Sequence, residues 1–131
     1  MPDRELQKIM LVDDSADIRE IARISLEQLG GYELKLCATA EQAIAEADEF
    51  DPDLFVLDVM MPETDGPQLL LKLKELPQFA ATPVIFLTAK EDITDLEAHR
   101  TLGVASIINK PFNPMTLAAT VQEIWDAFDG G

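Results

Sequence analysis

Asp13 with Asp14, Asp58, Thr88 and Lys110 each stand at the end of a short apolar run. The runs are Ile9-Met10-Leu11-Val12, Leu54-Phe55-Val56-Leu57, Val84-Ile85-Phe86-Leu87 and Ser106-Ile107-Ile108. If these runs are parallel strands of one open sheet, three carboxylates, one hydroxyl and one ammonium converge beyond its carboxyl edge, where ligands of such sheets bind. Crowded carboxylates repel, and one of them takes up a proton unless a cation is present. A hard divalent ion relieves that repulsion, and magnesium suits a few carboxylates, several waters and a phosphoryl oxygen. A lysine contacts phosphate as a point charge. A hydroxyl and a free backbone N–H donate to phosphoryl oxygens. Such a set stabilises the charge on a transferring phosphoryl group, with one of the carboxylates as the nucleophile.

The elements that must position these groups alternate five times between apolar runs and helical patterns. After the first run, Asp14-Ser15 offers capping side chains. Ile18, Ile21, Ala22, Ser25 and Leu29 then fall on one helical face, with Gly30-Gly31 as the stop. Leu34 to Cys37 is the second strand. Thr39 with Gln42 reads as a capping box, ahead of Ala40, Ala43, Ile44, Ala47 and Phe50 at helical spacing, and Pro52 blocks continuation. The third strand ends at Asp58. Pro62, Asp65 and Gly66 form the loop beyond it, where Gly66 serves as a conformationally permissive turn residue. Leu69, Leu70 and Leu73 mark the third helix. The fourth runs from about Asp92 to Leu102, with Gly103 as its stop. Asn113 caps the last helix, with Pro114 at its first position. Its stripe is Leu117, Val121, Ile124, Trp125 and Phe128. Strands one, three and four are almost wholly apolar, as expected of parallel strands buried on both faces.

A chain of 131 residues has the size of one domain, taken here as 1–131 with a core of about Lys8 to Phe128. The 47% hydrophobic content supplies one real core and excludes disorder throughout. The net charge of −15, from 25 acidic and 10 basic residues, repels nucleic-acid phosphates and anionic lipids. Direct nucleic-acid binding and membrane association are therefore not expected. Cys37 is the single cysteine, so neither an intrachain disulfide nor a thiolate metal cluster can form. With no signal-like start and no apolar run of membrane-spanning length, a cytoplasmic location is the default.

Leu11-Val12-Asp13-Asp14-Ser15, Leu57-Asp58-Val59-Met60-Met61-Pro62, Asp65-Gly66, Leu87-Thr88-Ala89 and Lys110-Pro111-Phe112 occur in that order. Over about Lys8 to Phe128 the chain resembles the receiver domain of two-component response regulators. The resemblance implies an α/β, flavodoxin-like, doubly wound parallel sheet of five strands in the order 2-1-3-4-5 with five flanking helices. It implies Asp58 as the phosphoacceptor. Asp14, Asp58 and the main-chain carbonyl of Met60 would bind Mg2+ (or Mn2+), and Asp13 would hold a water on that ion. Thr88 would bond a phosphoryl oxygen and move on phosphorylation, and Lys110 would contact the phosphate. The Lys110-Pro111 peptide would be cis. The implied donor is a sensor histidine kinase or a histidine phosphotransfer protein. The output would lie in an unidentified partner or an absent output domain, and homodimerisation is open. Chemistry of the chain's own is limited to self-phosphorylation and slow dephosphorylation, so it is not an enzyme in the usual sense.

Ile107 departs from the family pattern. Many receivers carry an aromatic three residues before the strand-five lysine, and an aliphatic side chain cannot repeat the ring's rotation. Met60 and Lys90 flank the reaction centre and bear on how water reaches an acyl phosphate. Three other readings compete. A flavodoxin-like electron carrier needs a hydroxyl- and glycine-rich phosphate loop where Asp13-Asp14 stands. A phosphoaspartate hydrolase of the haloacid-dehalogenase type needs an aspartate at Met60. A degenerate receiver acting only as a binding surface is opposed by the complete acceptor set. Taken singly, Asp13, Asp14 and Thr88 also fit helix caps, Asp58 a turn residue and Lys110 a surface cation, but the full set does not fit these roles together.

Overall fold

The computed structural model describes residues 5–61, 64–88, 104–110 and 112–130. The strands are β1 (Lys8–Val12), β2 (Glu33–Cys37), β3 (Leu54–Asp58), β4 (Val84–Thr88) and β5 (Val104–Asn109). They form one parallel sheet in the order β2-β1-β3-β4-β5. The helices are α1 (Ala16–Ala22), continued by a π-helical segment (Arg23–Leu29), α2 (Ala40–Phe50), α3 (Gly66–Lys74) and α4 (Leu117–Gly130). The expected helix over Asp92 to Leu102 lies outside the described residues, as do Ala89, Lys90, Gly103, Pro62 and Pro111.

The burial pattern follows from the sheet's position between two helical layers. β3 and β4 are buried at every residue and β1 at all but its first. The edge strands β2 and β5 are only partly covered. Because successive strand residues point to opposite faces, the core divides in two. Met10, Val12, Phe55, Leu57 and Phe86 pack with Ala43 and Ala47 of α2 and with Leu69, Leu70 and Leu73 of α3. Ile9, Leu11, Val56, Ile85 and Leu87 pack on the other face with Ala22 and Leu26, and with Leu117, Val121 and Trp125 of α4. A register shift at Val84/Ile85 leaves Ala105 unmatched and sets Ile107 opposite Phe86. Ile107 is thereby partly buried against the α2–α3 side of the core.

Local details in the helices differ from the sequence expectation at Leu29, Thr39 and Phe128. Leu29 is 56% exposed, whereas Leu26 is fully buried. The cause is the π segment, whose Gly30 N–H donates to the Ser25 carbonyl five residues back at 3.0 Å. Each such turn holds nearly one residue more than an α-turn, which rotates Leu29 off the face carrying Ile18 and Ala22. Thr39 caps α2 through Gln42 N–H at 3.1 Å, but the Gln42 side chain accepts from Ala38 N–H rather than closing a box on Thr39. The reciprocal capping box belongs instead to Asp65 and Gln68 at the start of α3. Phe128, at the end of the expected α4 stripe, is 38% exposed.

Cys37 is buried, and burial pushes its thiol up to about 11, in keeping with a packing role. No described helix is long and apolar enough to cross a membrane.

Candidate functional site

The strand order reverses between β1 and β3, the place where an open α/β sheet leaves a crevice at its carboxyl edge. The register pairs Val12 with Leu57, so Asp13 and Asp58 leave adjacent strands side by side. Asp58 pairs with Leu87 and Thr88 with Asn109, which brings Thr88 and Lys110 to the same edge. Lys110 N–H donates to the Thr88 carbonyl at 2.8 Å, carrying the ladder one residue past β5. Asp13 and Asp58 are buried, Thr88 is buried, Lys110 is half-buried and Asp14 is exposed. The expected residues Asp13, Asp14, Asp58, Thr88 and Lys110 thus share one edge of the sheet.

One oxygen from each of Asp13, Asp14 and Asp58 lies within 4.8 Å of the others. The long arm of Lys110 crosses β4 to reach them. Its ammonium donates to Asp58 Oδ1 at 2.8 Å and stands 2.9 Å from Asp13 Oδ2. The second contact is an ion pair without hydrogen-bond alignment, so the fully buried Asp13 Oδ2 accepts no hydrogen bond among the described residues. Lys110 offsets part of the Asp13 charge but is shared with Asp58, so among the described residues three clustered carboxylates face one ammonium. The three carboxylates make an oxygen-donor set that suits a hard divalent cation. Met60 N–H lies 3.4 Å from Asp58 Oδ1 and donates to it weakly. The Met60 side chain is 63% exposed.

The electrostatics match this crowding. Burial pushes the Asp58 carboxyl up to about 6, and the negative charge of Asp13 adds to the rise, while the Lys110 ammonium opposes it. Burial also works against the charge of Lys110, but its pairing with the Asp58 and Asp13 carboxylates outweighs that and holds it above the ordinary lysine range. Lys110 therefore stays charged at neutral pH, and the Asp58 carboxyl gives up its proton less readily than an ordinary aspartate. A bound cation would favour the ionised, nucleophilic form.

Three supporting features were not legible as site features in the sequence. Asp13 Oδ1 accepts the Ser15 N–H at 2.9 Å, a short turn that straddles Asp14. Arg19 donates from its guanidinium to the Asp13 main-chain carbonyl at 2.8 Å. Gly66 is required for space: a Cβ there would lie 2.6 Å from the Asp58 carbonyl oxygen and 3.0 Å from Val59 Cα. Its φ is not positive, so the expected turn permissiveness is not the reason for glycine. A helical arginine and a glycine at a helix start carry no local signal of such contacts.

Residues 9–122 match the family described as Response regulator receiver domain. The response regulator Rre1 of Synechocystis is 37% identical over 117 residues, which cover 88% of this chain and 50% of that protein. The alkaline phosphatase synthesis transcriptional regulatory protein PhoP of Bacillus subtilis is 35% identical over 118 residues, covering 90% and 48%. The chain thus spans about half the length of these two relatives. Among solved structures, the chemotaxis protein CheY4 of Vibrio cholerae is similar with a TM-score of 0.83 and 30% identity, over 91% of this chain and 98% of that one.

Proposed function

Because the chain belongs to the response regulator receiver family of two-component systems, we propose that it is a phosphoacceptor switch that takes a phosphoryl group on Asp58. The observation that carries this reading is the buried Asp58 carboxylate, hydrogen-bonded to Lys110 at 2.8 Å and clustered with Asp13 and Asp14. An Asp58 oxygen attacks the phosphorus of a phosphohistidine, the P–N bond breaks, and the imidazole leaves with the electron pair. Lys110 and the Thr88 hydroxyl hold the phosphoryl oxygens, and Met60 N–H stands beside the attacking carboxylate. Asp14, Asp58 and the Met60 carbonyl would hold a divalent cation such as Mg2+ (or Mn2+), with Asp13 holding a water on it; when bound, the ion would supply charge neutralisation for the transfer.

The donor in this reading is a sensor histidine kinase or a histidine phosphotransfer protein in the cytoplasm. The net charge of −15 opposes direct nucleic-acid binding, so output passes through a protein partner or a further domain. Turnover is confined to self-phosphorylation and slow loss of the phosphoryl group. Incubation with a small phosphodonor such as acetyl phosphate, with Mg2+ or with EDTA, followed by intact mass, tests the proposal. A phosphoryl adduct that needs the metal supports it. An unmodified chain, with both this donor and a phosphorylated phosphotransfer protein, replaces it with a phosphorylation-independent binding module.

A further inference from the structure

Asp14 is the exposed member of the carboxylate cluster, so core packing does not fix it. Its two flanking peptides are nonetheless tied down. Asp13 N–H joins the sheet through the Cys37 carbonyl at 3.0 Å. Beyond that point the Asp13 carbonyl accepts from the Arg19 guanidinium at 2.8 Å, a charge-assisted hydrogen bond from one turn into α1. On the other side of Asp14, the Ser15 N–H is held by Asp13 Oδ1 at 2.9 Å, and the Ser15 hydroxyl caps α1 through Ile18 N–H. The arm of Arg19 is half-buried against this turn.

We propose that Arg19 is a positioning residue for the cation site: it fixes the Asp13–Asp14 peptide and so aims the Asp14 carboxylate at the ion. The inference rests on the reading of Asp13, Asp14 and Asp58 as a Mg2+ site. Charge and geometry predict opposite signs for removing Arg19. A cationic side chain beside the site repels Mg2+, so loss of its charge alone would tighten binding. Loss of the positioning bond frees Asp14 and weakens binding. Hydrogen-bond partners of metal ligands are worth roughly 10–100-fold in metal affinity, and Arg19 acts one step further out, through the Asp13 main chain, which sets its effect at the low end of that range.

The test is calorimetric titration of Mg2+ into the full chain, for wild type, Arg19→Met, Arg19→Gln and Arg23→Met. Arg23 lies one turn further on and pairs with Glu20, so its loss reports the electrostatic effect alone. Arg19→Gln keeps a polar side chain too short for the bond and carries the test should Arg19→Met not fold. The expected result is a Mg2+ Kd about tenfold weaker in the Arg19 variants and unchanged or tighter in Arg23→Met. In acetyl phosphate reactions the half-saturating Mg2+ concentration rises in step, with the plateau rate retained. Arg19 variants that bind Mg2+ as tightly as wild type, or that lose plateau rate at unchanged Mg2+ affinity, overturn the inference while leaving the site intact. A wild-type chain that takes up no Mg2+ refutes the reading of the site itself.

Discussion

The Lys110 ammonium lies 2.8 Å from Asp58 Oδ1, and from the same position it faces the buried Oδ2 of Asp13 at 2.9 Å. One cation thus serves two carboxylates that would otherwise repel across the sheet edge. Lys110→Met should slow phosphorylation of Asp58 by roughly 10²-fold or more, the usual cost of one preorganised charge-stabilising donor. The Asp58 carboxyl should also rise further in pKa, readable by carbon-detected NMR titration. Phosphorylation at the wild-type rate would contradict the role given to the lysine.

The raised pKa of Asp58 has a consequence for stability with a definite sign. In the metal-free protein the folded state binds this proton more tightly, about 6 against an ordinary 3.8. The carboxyl's contribution to stability is therefore fully present below pH 4 and is lost as pH rises through 6. Asp58→Asn removes that loss. At pH 8 without metal, the variant should be more stable than wild type by on the order of 2 to 3 kcal/mol, with the gap closing below pH 4. Saturating Mg2+ should narrow or reverse the gap at pH 8, since wild type gains binding energy that the variant lacks. Urea unfolding at three pH values checks this, and a gap that widens on acidification contradicts it.

Gly66 gives a sharp contrast between two explanations. Were it a helix-start glycine with nothing near it, Gly66→Ala would stabilise by about 0.4–1 kcal/mol. The Asp58 carbonyl 2.6 Å from the added Cβ predicts instead a loss of about 1–3 kcal/mol, because backbone on both sides must move. The displaced Asp58–Val59 segment should also slow phosphorylation. Denaturant midpoints and phosphorylation rates of the one variant read both effects.

Much of this arrangement was legible before any coordinates. The apolar runs marked β1, β3 and β4 as interior parallel strands, because burial on both faces favours such sequences, and the residues that end them meet at one sheet edge. The phase of α1 was not legible. Spacing put Leu29 on the buried face, and π-type hydrogen bonding put Leu26 there. Periodicity presumes one residue angle per turn and cannot report a change of helix type. Arg19 and Gly66 were missed as site features for another reason: their roles depend on main-chain atoms of Asp13 and Asp58, which a side-chain pattern does not encode.

The α1 phase yields its own prediction. Leu26→Ala should cost about 2–5 kcal/mol as a buried large-to-small change. Leu29→Ala should stay within roughly 0.5 kcal/mol as a surface change. Equal costs, or the reverse order, would mean that the segment continues as an ordinary α-helix in solution.

The proposed switch stands or falls on Asp58 as the carrier of the phosphoryl group. The most direct measurement is the intact mass of wild type and Asp58→Asn after Mg2+ and acetyl phosphate, before and after hydroxylamine. Wild type should gain one phosphoryl adduct, removed by hydroxylamine as an acyl phosphate must be, and Asp58→Asn should gain none. An adduct of equal yield on Asp58→Asn, or one that resists hydroxylamine, would contradict it.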